Sequence, residues 1–137
     1  MWSYLKAAWK VLWNYDRMQV AVETDKKEIY RQAAMVVIAN ATKYGTGAVI
    51  NPGGSLEDDL FEIVIVRKLS LKEVLKMKIK MIHLPYDCSK TEVLQTRTVK
   101  IKSRHKAHFQ VDGEYMGKVN TVTAQIIPAS LKILVPQ

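Results

Sequence analysis

Only one cysteine, Cys88, occurs in the 137 residues, so no disulfide can form within the chain and a reducing compartment is the simpler setting. No apolar run approaches the roughly 20 residues that a helix needs to cross a bilayer. The opening "MWSYLKAAWKVLWNY" also lacks a small-residue cleavage site behind an unbroken apolar stretch. These absences argue against a disulfide-stapled secreted scaffold and a helical membrane protein. Phosphate-cradling loops are missing as well: "GTGAVI" (residues 45–50) lacks the third glycine of the dinucleotide fingerprint, and G-x-x-x-x-G-K-S/T occurs nowhere. His83, His105 and His108 show neither H-E-x-x-H spacing nor a cysteine partner, so no zinc site is expected. There is no internal repeat and no low-complexity tract.

What remains is the composition of one globular domain. The length suits a single core, and 48% of the residues are hydrophobic. Lys and Arg number 21 against 13 Asp and Glu, and this +8 balance draws the domain toward polyanions such as nucleotide phosphates or anionic lipid headgroups. Nucleic acid is not expected, because the basic residues are spread without the interleaved aromatics that base stacking requires.

Periodicity organises the chain. Trp2, Leu5, Ala8, Trp9, Leu12 and Trp13 recur three and four apart, the pattern of an amphipathic helix whose tryptophan stripe needs cover. Met18, Val20 and Val22 then alternate with their neighbours, and "ETDKKE" (23–28) supplies a turn into a second strand. "AAMVVIANA" (33–41) reads as a strand buried on both faces, "TKYGTG" and "INPGGS" as loops, and "LFEIVIVRKL" (60–69) as another apolar strand. "SLKEVLKMKIKMIHLP" (70–85) is the clearest internal helix, with Ser70 and Glu73 as a capping box and Lys72, Lys76 and Lys80 on one exposed face. From Thr91 onward the pattern is mainly β, including "TRTVKIKS", "AHFQV", "YMGKV", "TAQII" and "LKILV". "SRHKAH" (103–108) reads as a polar strand or turn. The fold class expected is mainly β: an antiparallel β-sandwich with one inserted crossover helix and an N-terminal amphipathic helix.

Two stretches carry carboxylates in unusual places. "INPGGSLEDDLFEIVIV" sets Glu57, Asp58 and Asp59 after a Gly-rich turn, where backbone carbonyls can add hard oxygen ligands, although such a turn by itself reads as solvated. "FQVDGEYMGK" (109–118) contains Asp112-Gly113, a two-residue type I′ hairpin turn that pairs Val111 with Glu114. That register puts a carboxylate on the face marked as apolar by Phe109, Val111 and Met116.

Together, "VIANATKYGTGAVINPGGSLEDDLFEIVIVRKLS" and the later "FQVDGEYMG" resemble the C-terminal half of the diacylglycerol kinase catalytic family, which includes bacterial lipid kinases and sphingosine kinases. "YLKAAWKVLWNYDRMQVAVETD" resembles the point where those enzymes pass between domains, so residues 1–14 are expected to form an interdomain helix and 15–137 the C-terminal β-sandwich of the NAD kinase/diacylglycerol kinase-like fold. The family's G-G-D-G-T nucleotide signature lies in an N-terminal domain that this sequence does not contain.

The resemblance implies ATP-dependent, Mg²⁺-assisted transfer of the γ-phosphoryl group to a lipid hydroxyl such as that of diacylglycerol, with the fragment alone inactive. It maps the catalytic carboxylate onto Glu114, with Asp112, Gly113 and Glu114 toward the ATP–metal site. A structural Mg²⁺ maps onto Asp58 with the carbonyls of Ser55 and Leu60. The family often has Asp-Gly where this chain has Asp58-Asp59, and an acidic residue where Gly53 or Gly54 stands. The partners implied are the lipid substrate, an anionic membrane surface, the N-terminal kinase domain and a second copy of the chain in a homodimer; the location implied is cytoplasmic and peripheral to membrane. The competing expectation is a basic β-sandwich that binds anionic membranes without catalysis.

Overall fold

The computed structural model describes residues 17–44, 48–49, 51, 53–67, 90–128 and 130. The N-terminal helix expected over residues 1–14 and the crossover helix expected over 70–85 lie outside them. In chain order the described strands are β1 (Met18–Thr24), β2 (Glu28–Ala33), β3 (Met35–Ala39), β4 (Lys43–Tyr44), β5 (Ala48–Val49), β6 (Phe61–Val66), β7 (Thr91–Thr96), β8 (Thr98–Val111) and β9 (Glu114–Gln125). All pair antiparallel, in a four-stranded sheet ordered β2-β1-β8-β9, a three-stranded sheet ordered β3-β6-β7 and a β4-β5 ribbon.

Alternation explains how the two larger sheets meet. In β1, Val20 and Val22 point inward beside Ala33 of β2 and Val99 of β8, and this face packs on Phe61, Ile63 and Ile65 of β6. Met18, Ile29, Val36, Ile38, Leu94, Ile101, Ala124 and Ile126 close the margin of that core. Each large apolar side chain so buried contributes about 1.5–3 kcal/mol. β6 has a second buried face: Val64 and Val66 pack with Met35 and Val37 on the side away from the main core. All six residues of β6 are therefore buried, and the near-continuous apolar run "FEIVIV" follows from that placement.

The run "AAMVVIANA" is not one strand. The chain leaves the larger sheet at Ala33 and enters the smaller one at Met35, with the Ala34 N–H donating to the Val66 carbonyl at 2.7 Å. β3 is an edge strand and only half-buried, so the strand buried on both faces is β6 instead. The loop expected around "TKYGTG" contains the two short strands β4 and β5. "TRTVKIKS", "SRHKAH" and "AHFQV" contribute to one strand of 14 residues, β8, and "YMGKV" and the start of "TAQII" to one of 12, β9.

Polar bridges tie the two sheets at their edges. The Arg31 guanidinium of β2 grips Glu92 of β7 through Nε–Oε2 at 2.7 Å and Nη2–Oε1 at 3.1 Å, and Arg67, just past β6, adds Nη2–Oε2 at 2.6 Å. The buried Thr96 hydroxyl of β7 donates to the Asp25 carboxylate in the β1–β2 turn at 2.6 Å. The Arg31 hydrogen bond, opposed by burial and helped by Arg67, lowers the Glu92 pKa from 4.5 to about 2.

Because that folded value lies below the unfolded one, the bridge stabilises the domain at pH above about 4.5, and the contribution is lost as pH falls toward 2. Solvent reaches both arginines and screens the pair, so Glu92→Gln is expected to cost about 1 kcal/mol at neutral pH. In urea titrations the stability of the variant should also fall less steeply than that of the parent between pH 5 and pH 2, roughly the window set by the shift.

Candidate functional site

The acidic turn runs from Asn51 to the start of β6. Its backbone folds back on the preceding segment: the Asn51 N–H donates to the Thr42 carbonyl at 3.3 Å, the Gly54 N–H to the Asn51 carbonyl at 3.1 Å, and the Thr42 hydroxyl to the Gly54 carbonyl at 3.2 Å. A side chain at Gly54 would press on the Asn51 carboxamide and force it to shift. Further along, the Glu57 N–H donates to Ser55 Oγ at 3.1 Å and the Leu60 N–H to Asp58 Oδ1 at 3.2 Å. Asp59 takes the left-handed conformation at φ 52°, which Asp and Asn tolerate better than other residues with a side chain.

These bonds decide what the turn can offer an ion. Asp58 is exposed and keeps Oδ2 outside the bond to Leu60, while the Ser55 hydroxyl is turned back toward Glu57. No cluster of three His, Cys, Asp or Glu side chains is found among the described residues. A cation here would therefore be held by one carboxylate and by main-chain carbonyls. Such an all-oxygen donor set fits Mg²⁺ or Ca²⁺ and not a thiophilic metal.

The neck of the turn holds a group that motif reading missed. Glu62, the second residue of β6, is only 1% exposed. It faces away from the main core beside Val64 and Val66, and its Oε2 accepts from the Asn51 carboxamide, itself 2% exposed. Oε1 accepts from Gln95 Nε2 at 3.0 Å, across the Glu62–Gln95 strand pair. The available signal was the single charge inside the otherwise apolar "FEIVIV".

The second feature is the tip of the β8–β9 hairpin. Asp112 at φ 48° and Gly113 at φ 92° make the two-residue turn, and Val111 pairs with Glu114 as the Asp-Gly signal requires. β1 covers β8 only from Val99 to Ser103, so the rest of the hairpin extends past the four-stranded sheet as a two-stranded arm. The register slips twice along it: β8 advances five residues from Lys102 to Ala107 while β9 advances two, and Gly117 at φ 91° sits in the second irregularity. The expected apolar face is not covered, since Val111 is 48% and Met116 59% exposed. Glu114 is exposed as well and has no hydrogen bond or ion pair among the described residues. On the other face of β9, Tyr115 Oη lies 3.0 Å from His108 Nδ1.

Ser55, Asp58 and Leu60 thus share one turn, and Asp112, Gly113 and Glu114 share one hairpin tip. No hydrogen bond or ion pair joins the two groups among the described residues. A family model for the "YegS C-terminal NAD kinase beta sandwich-like domain" matches residues 1–135. The chain belongs to that family. This YegS-type domain is 27% identical over 126 residues to a protein of Chromohalobacter salexigens described as "Probable lipid kinase YegS-like", covering 91% of the domain and 40% of that relative. It is similar in fold to two solved structures from Bacillus anthracis described, the first of them provisionally, as diacylglycerol kinases. The first has a TM-score of 0.62 at 15% identity, covering 93% of the domain and 45% of that chain. The second has a TM-score of 0.54 at 16% identity, covering 92% and 48%. The domain spans less than half the length of each of these relatives.

The positive φ of Gly113 makes the turn testable. Gly113→Ala forces a Cβ into a left-handed position and is expected to cost about 1 kcal/mol. Hydrogen exchange should localise the loss to Gln110–Tyr115, with the amides of β1 and β6 unchanged.

Proposed function

We propose that this domain is the C-terminal, lipid-facing half of an ATP-dependent lipid kinase that transfers the γ-phosphoryl group to a lipid hydroxyl, diacylglycerol being the representative acceptor. Family membership across residues 1–135, combined with an exposed Asp-Gly-Glu hairpin tip, is the observation that carries this reading. The lipid-kinase description of the Chromohalobacter relative supports the substrate class. The nucleotide-binding half is assigned to an N-terminal domain of the same protein, so the 137-residue chain is expected to be inactive alone.

Phosphoryl transfer needs a positioned nucleotide, positive charge on its phosphates and an in-line hydroxyl. On this reading the exposed Glu114 carboxylate reaches the ATP–metal site, and the Asp112-Gly113 turn fixes its register. Asp58, with the carbonyls of Ser55 and Leu60, holds a structural Mg²⁺ that stiffens the acidic turn. The protein acts in the cytoplasm, at the face of an anionic membrane, to which its positive charge attracts it.

In the full-length kinase, Glu114→Ala should cut kcat for lipid phosphorylation by about 100-fold or more, in line with the loss of a positioned acid–base group. The thermal midpoint should barely move, because no hydrogen bond or ion pair to Glu114 is found among the described residues. Parent-like turnover would leave the hairpin tip as a plain turn.

A non-catalytic membrane module is the second reading, favoured by the exposed Val111, Tyr115 and Met116 on a basic domain. Co-sedimentation with anionic vesicles that weakens with salt, from a full-length protein that transfers no phosphate to lipid, would select it.

A further inference from the structure

Residues 51 and 62 stand at the two ends of the acidic turn, and the Asn51 carboxamide donates across that gap to Glu62. Their bond closes a loop. Within it lie all three groups assigned above to a cation: the Ser55 carbonyl, the Asp58 carboxylate and the Leu60 carbonyl. The neck is tightly made, since Glu62 is also held by Gln95 of β7 at 3.0 Å, and a side chain at Gly54 would press on Asn51. Both residues at the neck are almost entirely removed from solvent.

Stability alone does not account for a carboxylate at this position. The other residues of β6 on that face are Val64 and Val66, and an apolar side chain would avoid the desolvation that a buried carboxylate suffers. No salt bridge to Glu62 is found among the described residues, so its compensation is the pair of amide donors. A buried polar network of this kind is useful where it selects one geometry among several.

We propose that Glu62 and Asn51 are positioning residues for the cation turn. Their buried hydrogen bond, braced by Gln95, closes residues 51–62 into a loop and holds Ser55, Asp58 and Leu60 in the arrangement that a hard divalent cation requires. This inference rests on the assignment of the cation to that turn. The neck residues act as the outer shell, orienting groups they do not touch directly.

The experiment measures Mg²⁺ affinity by titration calorimetry, and amide exchange by NMR, in the full-length kinase and in Asn51→Ala, Glu62→Gln and Asp58→Asn. Asn51→Ala removes the clasp without changing the sequence of β6, and leaves Gln95 as the remaining donor to Glu62. It is expected to weaken Mg²⁺ binding about 10–100-fold, the usual effect of losing an outer-shell partner. It should also speed exchange at Gly54 and Leu60 more than in the β6–β7 ladder, where Gln95 still meets Glu62. Glu62→Gln retains an acceptor for Asn51 and should keep affinity and exchange near parent values, which a requirement for charge at this site would not allow. If Asp58→Asn abolishes Mg²⁺ binding while Asn51→Ala leaves both readouts at parent values, the positioning inference is overturned and the cation assignment survives. If Asp58→Asn binds Mg²⁺ no differently from the parent, the cation assignment falls and the inference falls with it.

Discussion

A strand covered on both faces admits a carboxylate only where donors meet it, and β6 is covered on both faces with Glu62 near its start. Phe61, Ile63 and Ile65 lock the two larger sheets together from one side of the strand. Glu62, Val64 and Val66 occupy the other. Because every residue of β6 is committed, a slip by one residue would drive Glu62 into the main core and bring Ile63 and Ile65 out of it. That register fixes where the acidic turn must end, and Asn51 then fixes where it must begin. The position of Asp58 follows from the packing of a strand that Asp58 itself does not join.

The hairpin arm obeys the opposite logic. Inside the four-stranded sheet, β8 is flanked by β1 and β9, and β8 and β9 carry the inward Val99, Ile101 and Ala124. Beyond Ser103, among the described residues, they pair only with each other, and a lone pair of strands is marginal in water. The arm nevertheless exposes Val111, Tyr115 and Met116 around its Asp-Gly turn. A buried scaffold that presents an exposed acidic tip suits a site completed by another body, as the proposed kinase requires of its nucleotide-binding domain.

Local patterns were legible where one physical cause produced them. Alternation in "MQVAVET" set β1 correctly, and Asp112-Gly113 specified the hairpin register to the residue. The switch between sheets at Ala34 was not legible, because an apolar run looks the same whether it is one strand or two in different sheets. β8 hid its length because "SRHKAH" lies in the unsupported arm, where polar side chains meet solvent on both faces and alternation disappears. The roles given to Ser55, Asp58, Leu60 and Glu114 came from family resemblance. Asn51 and Glu62 belonged to no motif, and only the three-dimensional neck of the turn brings them together.

Substrate class is the deciding point, since the family is described by a sandwich like that of NAD kinase while the Chromohalobacter relative is described as a probable lipid kinase. The direct measurement is transfer of labelled γ-phosphate from ATP by the full-length protein, with diacylglycerol-containing vesicles and NAD offered as parallel acceptors. Label is expected in the lipid fraction, dependent on Mg²⁺, and none in NAD. Label in NAD with an unlabelled lipid fraction would contradict this expectation.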